Sequence, residues 1–112
     1  MESSSVARVR LDLNESDFLA DLFALEKNDK VQALKQFEKI SKLNWTQVYQ
    51  DPGLKWEKIE PVPPALARHL TKDKQLSLYS IRLTQAKRAV VTRDGDFMRF
   101  LVSPPDDDST YV

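Results

Sequence analysis

Apolar and polar residues alternate from Val6 to Leu13, with Val6, Arg8 and Arg10 on one side and Ala7, Val9, Leu11 and Leu13 on the other. A period of two predicts a half-buried strand. Beyond it the period lengthens. Phe18, Leu19, Leu22, Phe23 and Leu25 recur at helical spacing, with Asn14 and Ser16 as candidate N-caps and acids at Glu15 and Asp17. These signals predict a first helix over about Asp17–Glu26. Lys27-Asn28-Asp29 is expected to break it, and Asp29 followed by Gln32 reads as a capping-box start. Val31, Leu34, Phe37, Ile40 and Leu43 then recur at steps of three, the expected core stripe of a second helix packed antiparallel to the first. Asn44 is placed to cap a short third turn holding Trp45, Val48 and Tyr49, which Asp51-Pro52-Gly53 ends.

The second half returns to a period of two. Leu54–Ile59 alternates, with Lys55, Glu57 and Ile59 on one side and Leu54, Trp56 and Lys58 on the other. Pro61, Pro63 and Pro64 exclude a central strand after it, and Pro64 suits the first position of a helical turn. Tyr79, Ile81 and Leu83 share one face of the next strand, opposite Ser80, Arg82 and Thr84. A further strand is expected over Lys87–Arg93. Asp94-Gly95-Asp96 signals a hairpin into Phe97–Val102. The fold class is therefore α+β: an N-terminal strand, a helical hairpin, then a C-terminal antiparallel meander of three to four strands, with the helices on one face.

Length and composition narrow the possibilities. The 112 residues suit one domain spanning 1–112, with a tail from about 103, and 41% apolar residues suffice for a core. There is no cysteine, which excludes disulfides and thiolate metal sites. The N-terminus lacks the basic start and apolar run of a signal peptide, and no stretch approaches the ~18 apolar residues of a membrane span. A cytoplasmic protein without a membrane partner is expected, so the glycosylation patterns at Asn14 and Asn44 carry no meaning.

Net charge is zero, but its distribution is uneven: residues 61–105 hold eight Lys/Arg against three Asp/Glu, before Asp106, Asp107 and Asp108. Two glycines cannot build a phosphate loop, and a lone histidine, His69, argues for a solvent-exposed side chain over a metal ligand. The aspartate run is more simply a solvated tail than a cation site. No metal or cofactor is expected. What stands out is Arg82, Lys87, Arg88, Arg93 and Arg99 on three adjacent strands. Arginines can grip a phosphate through paired hydrogen bonds and stabilise charge at a phosphodiester under attack. Without a histidine or metal, such a site would use the 2′-hydroxyl of RNA as nucleophile. The plainer reading is a solvated sheet face that buries only its other side.

The strings Leu78-Tyr79-Ser80-Ile81-Arg82-Leu83, Lys87-Arg88-Ala89-Val90-Val91, Asp94-Gly95-Asp96 and Met98-Arg99-Phe100-Leu101 resemble the C-terminal sheet of the RelE/ParE toxin superfamily. The segments 51–57 and 105–111 resemble its lead-in and closing motif. The resemblance implies a toxin with a cognate antitoxin as partner. RelE-type members bind the ribosome and cleave mRNA without metal; ParE-type members inhibit gyrase and are not nucleases. It assigns catalytic roles to Arg82, Arg88 and Tyr111; Lys55, Lys58, Lys87, Arg93 and Arg99 are candidate substrate-binding residues. Ser80, Pro105 and Asp107 stand where more basic members carry lysine, arginine and histidine. Two readings stand: a ribosome-dependent mRNA endonuclease, and a non-catalytic ParE-like or orphan protein acting by protein binding, on gyrase or an antitoxin-like partner.

Overall fold

The computed structural model describes residues 7–70 and 77–104. Strand β1 (Arg10–Asp12) leads into helices α1 (Ser16–Phe23), α2 (Lys27–Ser41) and α3 (Trp45–Gln50). Strand β2 (Glu57–Lys58) and a 3₁₀ helix (Pro64–Leu70) precede the strands β3 (Tyr79–Arg82), β4 (Arg88–Asp94) and β5 (Phe97–Val102). The five strands form one sheet in the order β1-β5-β4-β3-β2. From β2 to β5 every pairing is antiparallel, as the meander predicts, whereas β1 lies parallel to β5 with Arg10 opposite Phe97. Gly95 adopts a φ of 63°, which the two-residue loop between β4 and β5 requires for its strands to keep their twist.

The helical boundaries differ from the periodic reading. Helix α1 ends at Phe23, and neither Asn14 nor Ser16 caps it; Glu15 stands at the N-cap without a side-chain hydrogen bond. Lys27-Asn28-Asp29 does not break the chain but forms the first turn of α2, after Glu26 at the N-cap. Asp29 favours that turn by facing the positive end of the helix dipole, without the anticipated capping box. The expected stripe at steps of three is also corrected. Each such step rotates 300°, so four of them drift by roughly 240° and cannot stay on one face. The buried positions are Ala33, Phe37 and Ile40, while Val31 and Leu34 are 44% and 62% exposed. Asn44 does cap α3: its side chain accepts from Gln47 N at 2.8 Å, and Gln47 Oε1 accepts from Asn44 N at 2.9 Å.

The main core lies between the helices and one face of the sheet. Phe18, Phe37 and Phe100 meet edge-on or tilted, with centroids 5.1 to 6.3 Å apart, packed with Ile40, Ile81, Leu83, Val91 and Met98. Trp45 is fully buried beneath Tyr49 and Trp56, and its indole N–H donates to Asp96 O at 3.2 Å. The second face of the sheet is not simply solvated. Ile59, Leu66, Leu78, Val90 and Leu101 form a separate buried cluster there, so the proline-rich segment after β2 covers part of that face. The chain stays packed through Ser103 and Pro104; Ser103 N donates to Asp21 Oδ2 at 2.8 Å.

Candidate functional site: an arginine pair on the second face

Strand register places Arg82 and Arg88 directly opposite each other on β3 and β4. Their neighbours on that face are Ser80, opposite Val90, and Glu57, opposite Ser80. Directly opposed like charges repel, so the pair stands only because other groups hold each guanidinium. Arg88 Nε donates to Ser80 Oγ at 2.5 Å, and Arg88 Nη2 donates to the Lys55 carbonyl at 3.0 Å. Glu57 Oε1 lies 3.6 Å from the same Nη2. Arg82 Nη1 donates to the Gln85 carbonyl at 2.7 Å.

Both anchoring carbonyls are themselves fixed. Lys55 follows the turn in which Asp51 Oδ1 accepts from Gly53 N and Leu54 N, at 2.7 and 3.1 Å. Burial raises the Asp51 carboxyl, but the hydrogen bonds and charge of Lys39 and the Gly53 and Leu54 amides outweigh it and leave it below its ordinary value. Gln85 N donates to Gln32 Oε1 at 2.9 Å, and Gln36 Nε2 donates to the Arg82 carbonyl at 2.6 Å. Two glutamines of α2 thus hold the β3–β4 loop from the helical side.

The remaining sequence-assigned residues divide by place. Arg99 is on the arginine face, opposite Thr92, but four residues along β4 from Arg88, about 13 Å away. Its guanidinium is met by Asp12 at 3.2 Å and Asp94 at 2.8 Å. Burial raises the Asp12 carboxyl, yet the Asn14 amide and Arg99 together draw it below its ordinary value. Arg93 lies on the helix side, 4.4 Å over the Trp45 ring, with Nη1 donating to Tyr49 Oη at 2.6 Å. Lys58 sits opposite Tyr79, beside Glu60 at 3.9 Å. Lys87 lines a groove of about 390 Å³ with Asp21, Leu25, Glu26, Asp29 and Ser103. None of these three joins the arginine pair. Tyr111, the Asp106–Asp108 run and the side chain of His69 lie outside the described residues.

Glu57 was not singled out by the sequence, although the alternation in Leu54–Ile59 already separated it from Leu54 and Trp56. Its side chain is 67% exposed beside an Arg88 side chain that is only 14% exposed. An arginine pair with one exposed carboxylate can bind an oxyanion and accept a proton next to it. Among the described residues no group of three or more His, Cys, Asp or Glu is arranged to hold a metal ion, and no helix is long and apolar enough to cross a membrane.

The sequence matches no protein-family model and no curated protein. Solved structures do match. A chain of the archaeal RelE–RelB complex from Pyrococcus horikoshii aligns with a TM-score of 0.60 at 17% identity, over 91% of this chain and 99% of that one. A chain of the YoeB dimer from Staphylococcus aureus aligns with a TM-score of 0.47 at 17% identity, over 86% and 94%. With its helices on one face of a mixed five-stranded sheet, and over nearly the whole length of the archaeal chain, this protein has the RelE-like fold.

Proposed function

We propose that this protein is the toxin of a toxin–antitoxin pair and cleaves mRNA at the arginine pair. The register contact of Arg82 with Arg88, with Glu57 beside Arg88, carries the reading. In the reaction the Glu57 carboxylate takes the proton of an RNA 2′-hydroxyl, whose oxygen attacks the adjacent phosphorus. The bond to the 5′-oxygen breaks, leaving a 2′,3′-cyclic phosphate and a 5′-hydroxyl. Arg82 and Arg88 stabilise the charge gathering on the non-bridging oxygens. Tyr111 is the proposed proton donor to the departing oxygen. The solved archaeal complex joins RelE to RelB, and a cognate antitoxin is the corresponding partner here, in the cytoplasm, with the ribosome presenting the message.

One observation favours the alternative, a toxin that binds a protein target without chemistry. The chain has 17 basic and 17 acidic residues, whereas affinity for ribosomal RNA grows with phosphates neutralised. Controlled expression in bacteria with primer extension on a translated message separates the two. Growth arrest with new 5′ ends in the message, abolished by Arg88→Ala, is the expected result. Arrest with intact mRNA selects the protein-target reading, and absence of arrest rejects both.

A further inference from the structure

Lys55 is the one non-glycine residue with a left-handed backbone among those described, with φ at 53°. Lysine rarely adopts that conformation, and it persists where the surroundings over-determine it. Here they do. The Asp51 carbonyl accepts from both Leu54 N and Lys55 N at 3.3 Å, and the Asp51 carboxylate holds the two preceding amides. The Lys55 carbonyl then meets Arg88 Nη2 at 3.0 Å, whereas Lys55 as a whole is exposed. On the other side Ser80, only 4% exposed, receives Arg88 Nε at 2.5 Å.

We infer that Lys55 serves the arginine pair through its main-chain carbonyl, not its ammonium, and that this carbonyl and the Ser80 hydroxyl are the positioning groups that fix Arg88 for an oxyanion. Nε and Nη2 form the side edge of a guanidinium, the one that grips a carboxylate or phosphate side-on. Ser80 and Lys55 occupy that edge. Among the described residues Nη1 of Arg88 has no hydrogen-bond partner, so the ligand meets Arg88 end-on. Ser80 thereby has a task that a lysine at the same position could not perform, because an ammonium donates and cannot accept from Nε. The backbone of Arg88 is tethered too: Ser103 Oγ donates to its carbonyl at 2.9 Å.

The oxyanion part rests on the phosphodiester reading above; the positioning part does not. The test pairs the arginine Nε–H spectrum of the full chain with affinity for a non-cleavable 2′-O-methyl trinucleotide. Glycine adopts a positive φ freely, so Lys55→Gly keeps the carbonyl in place while deleting the ammonium. It is expected to leave the Arg88 Nε–H resonance unchanged and binding within about twofold, as is Lys55→Ala, whose Cβ matches that of lysine. Lys55→Val, whose branched Cβ disfavours a positive φ, is expected to shift the one and weaken the other about fivefold or more. Ser80→Ala is expected to lose the hydrogen-bonded Nε–H signal and Ser80→Thr to restore it, with far-UV dichroism unchanged in both. Equal losses of affinity in Lys55→Gly and Lys55→Ala with an intact Arg88 signal would overturn the inference in favour of a charge contact. An Nε–H signal indifferent to Ser80→Ala would overturn it as well. If the trinucleotide fails to bind even the unsubstituted chain while the spectral pattern holds, positioning stands and the phosphodiester reading falls.

Discussion

On the helix side of the sheet, Phe18, Phe37 and Phe100 form a cluster whose contacts are numerous, individually weak and without direction. On the opposite side Arg88 depends on a hydroxyl, a carbonyl and a carboxylate, each at a definite distance and angle. The first face gains stability from area and is sensitive to volume. At the arginine pair the second gains little stability, since two like charges are opposed, and is sensitive to chemistry. The arginine face adds its own smaller cluster of Ile59, Leu66, Leu78, Val90 and Leu101, so the repulsive pair is carried by a face that is only partly apolar.

Cutting into the first face gives the largest expected effect. Phe37→Ala should cost about 3–5 kcal/mol in urea unfolding, because it deletes a ring at the centre of the cluster. Arg88→Gln should cost less, about 1–2 kcal/mol for the buried Ser80 hydroxyl left without its partner, while abolishing any cleavage, the comparison at its sharpest.

Acid should separate the faces next. A carboxyl depressed in the folded state stabilises fully above its unfolded pKa, and that stability is lost as pH falls through the folded value. Asp51 is such a group, and it holds the turn that aims the Lys55 carbonyl. Lowering the pH below about 4 should therefore loosen the Arg88 Nε–H signal before near-ultraviolet dichroism reports loss of the aromatic core. Asp51→Asn should flatten that dependence; simultaneous loss of both signals would remove the distinction.

The two smallest effects concern single contacts. Asn44→Ala removes the side-chain cap of α3 and should cost about 1 kcal/mol in thermal or urea unfolding. Arg82→Gln should leave stability unchanged or raise it by a few tenths of a kcal/mol, through relief of repulsion, while weakening trinucleotide binding. A clear loss of stability would mean that the pair is structural.

Local signals made much of this architecture legible. Alternation located β3, β4 and β5; Asp94-Gly95-Asp96 located the hairpin of β4 and β5; Asn44 located the start of α3. Charge and alternation alone place five basic residues on these strands; the family resemblance, not the strand pattern, picks out Arg82 and Arg88 among them. What could not be read depends on distance in the chain. Nothing near Arg10 says that β1 will pair with β5. Nothing near Ile59 says that it will close over Val90. Arg93 and Lys87 looked equivalent to Arg88 because all are basic residues in one run, and only alternation across a built sheet sends them to the helix side. Glu57 was visible as an exposed position but acquired chemical interest only when β2 paired with β3.

The parallel pairing of β1 with β5 has a consequence in time. The Asp12–Arg99 contact at this edge spans 87 positions of sequence, so the sheet's final hydrogen bonds wait until almost all of the described chain has left the ribosome. At roughly 5–20 residues per second that delay is several seconds or more, with the apolar side of β1 waiting unpaired. Closure of so long a loop is also a slow, entropically costly step. A shortened or stalled chain ending before Phe97 would hold both arginines of β3 and β4 but lack the strand that joins them to β1. Pairing of the arginine strands therefore precedes closure of the sheet at its β1 edge.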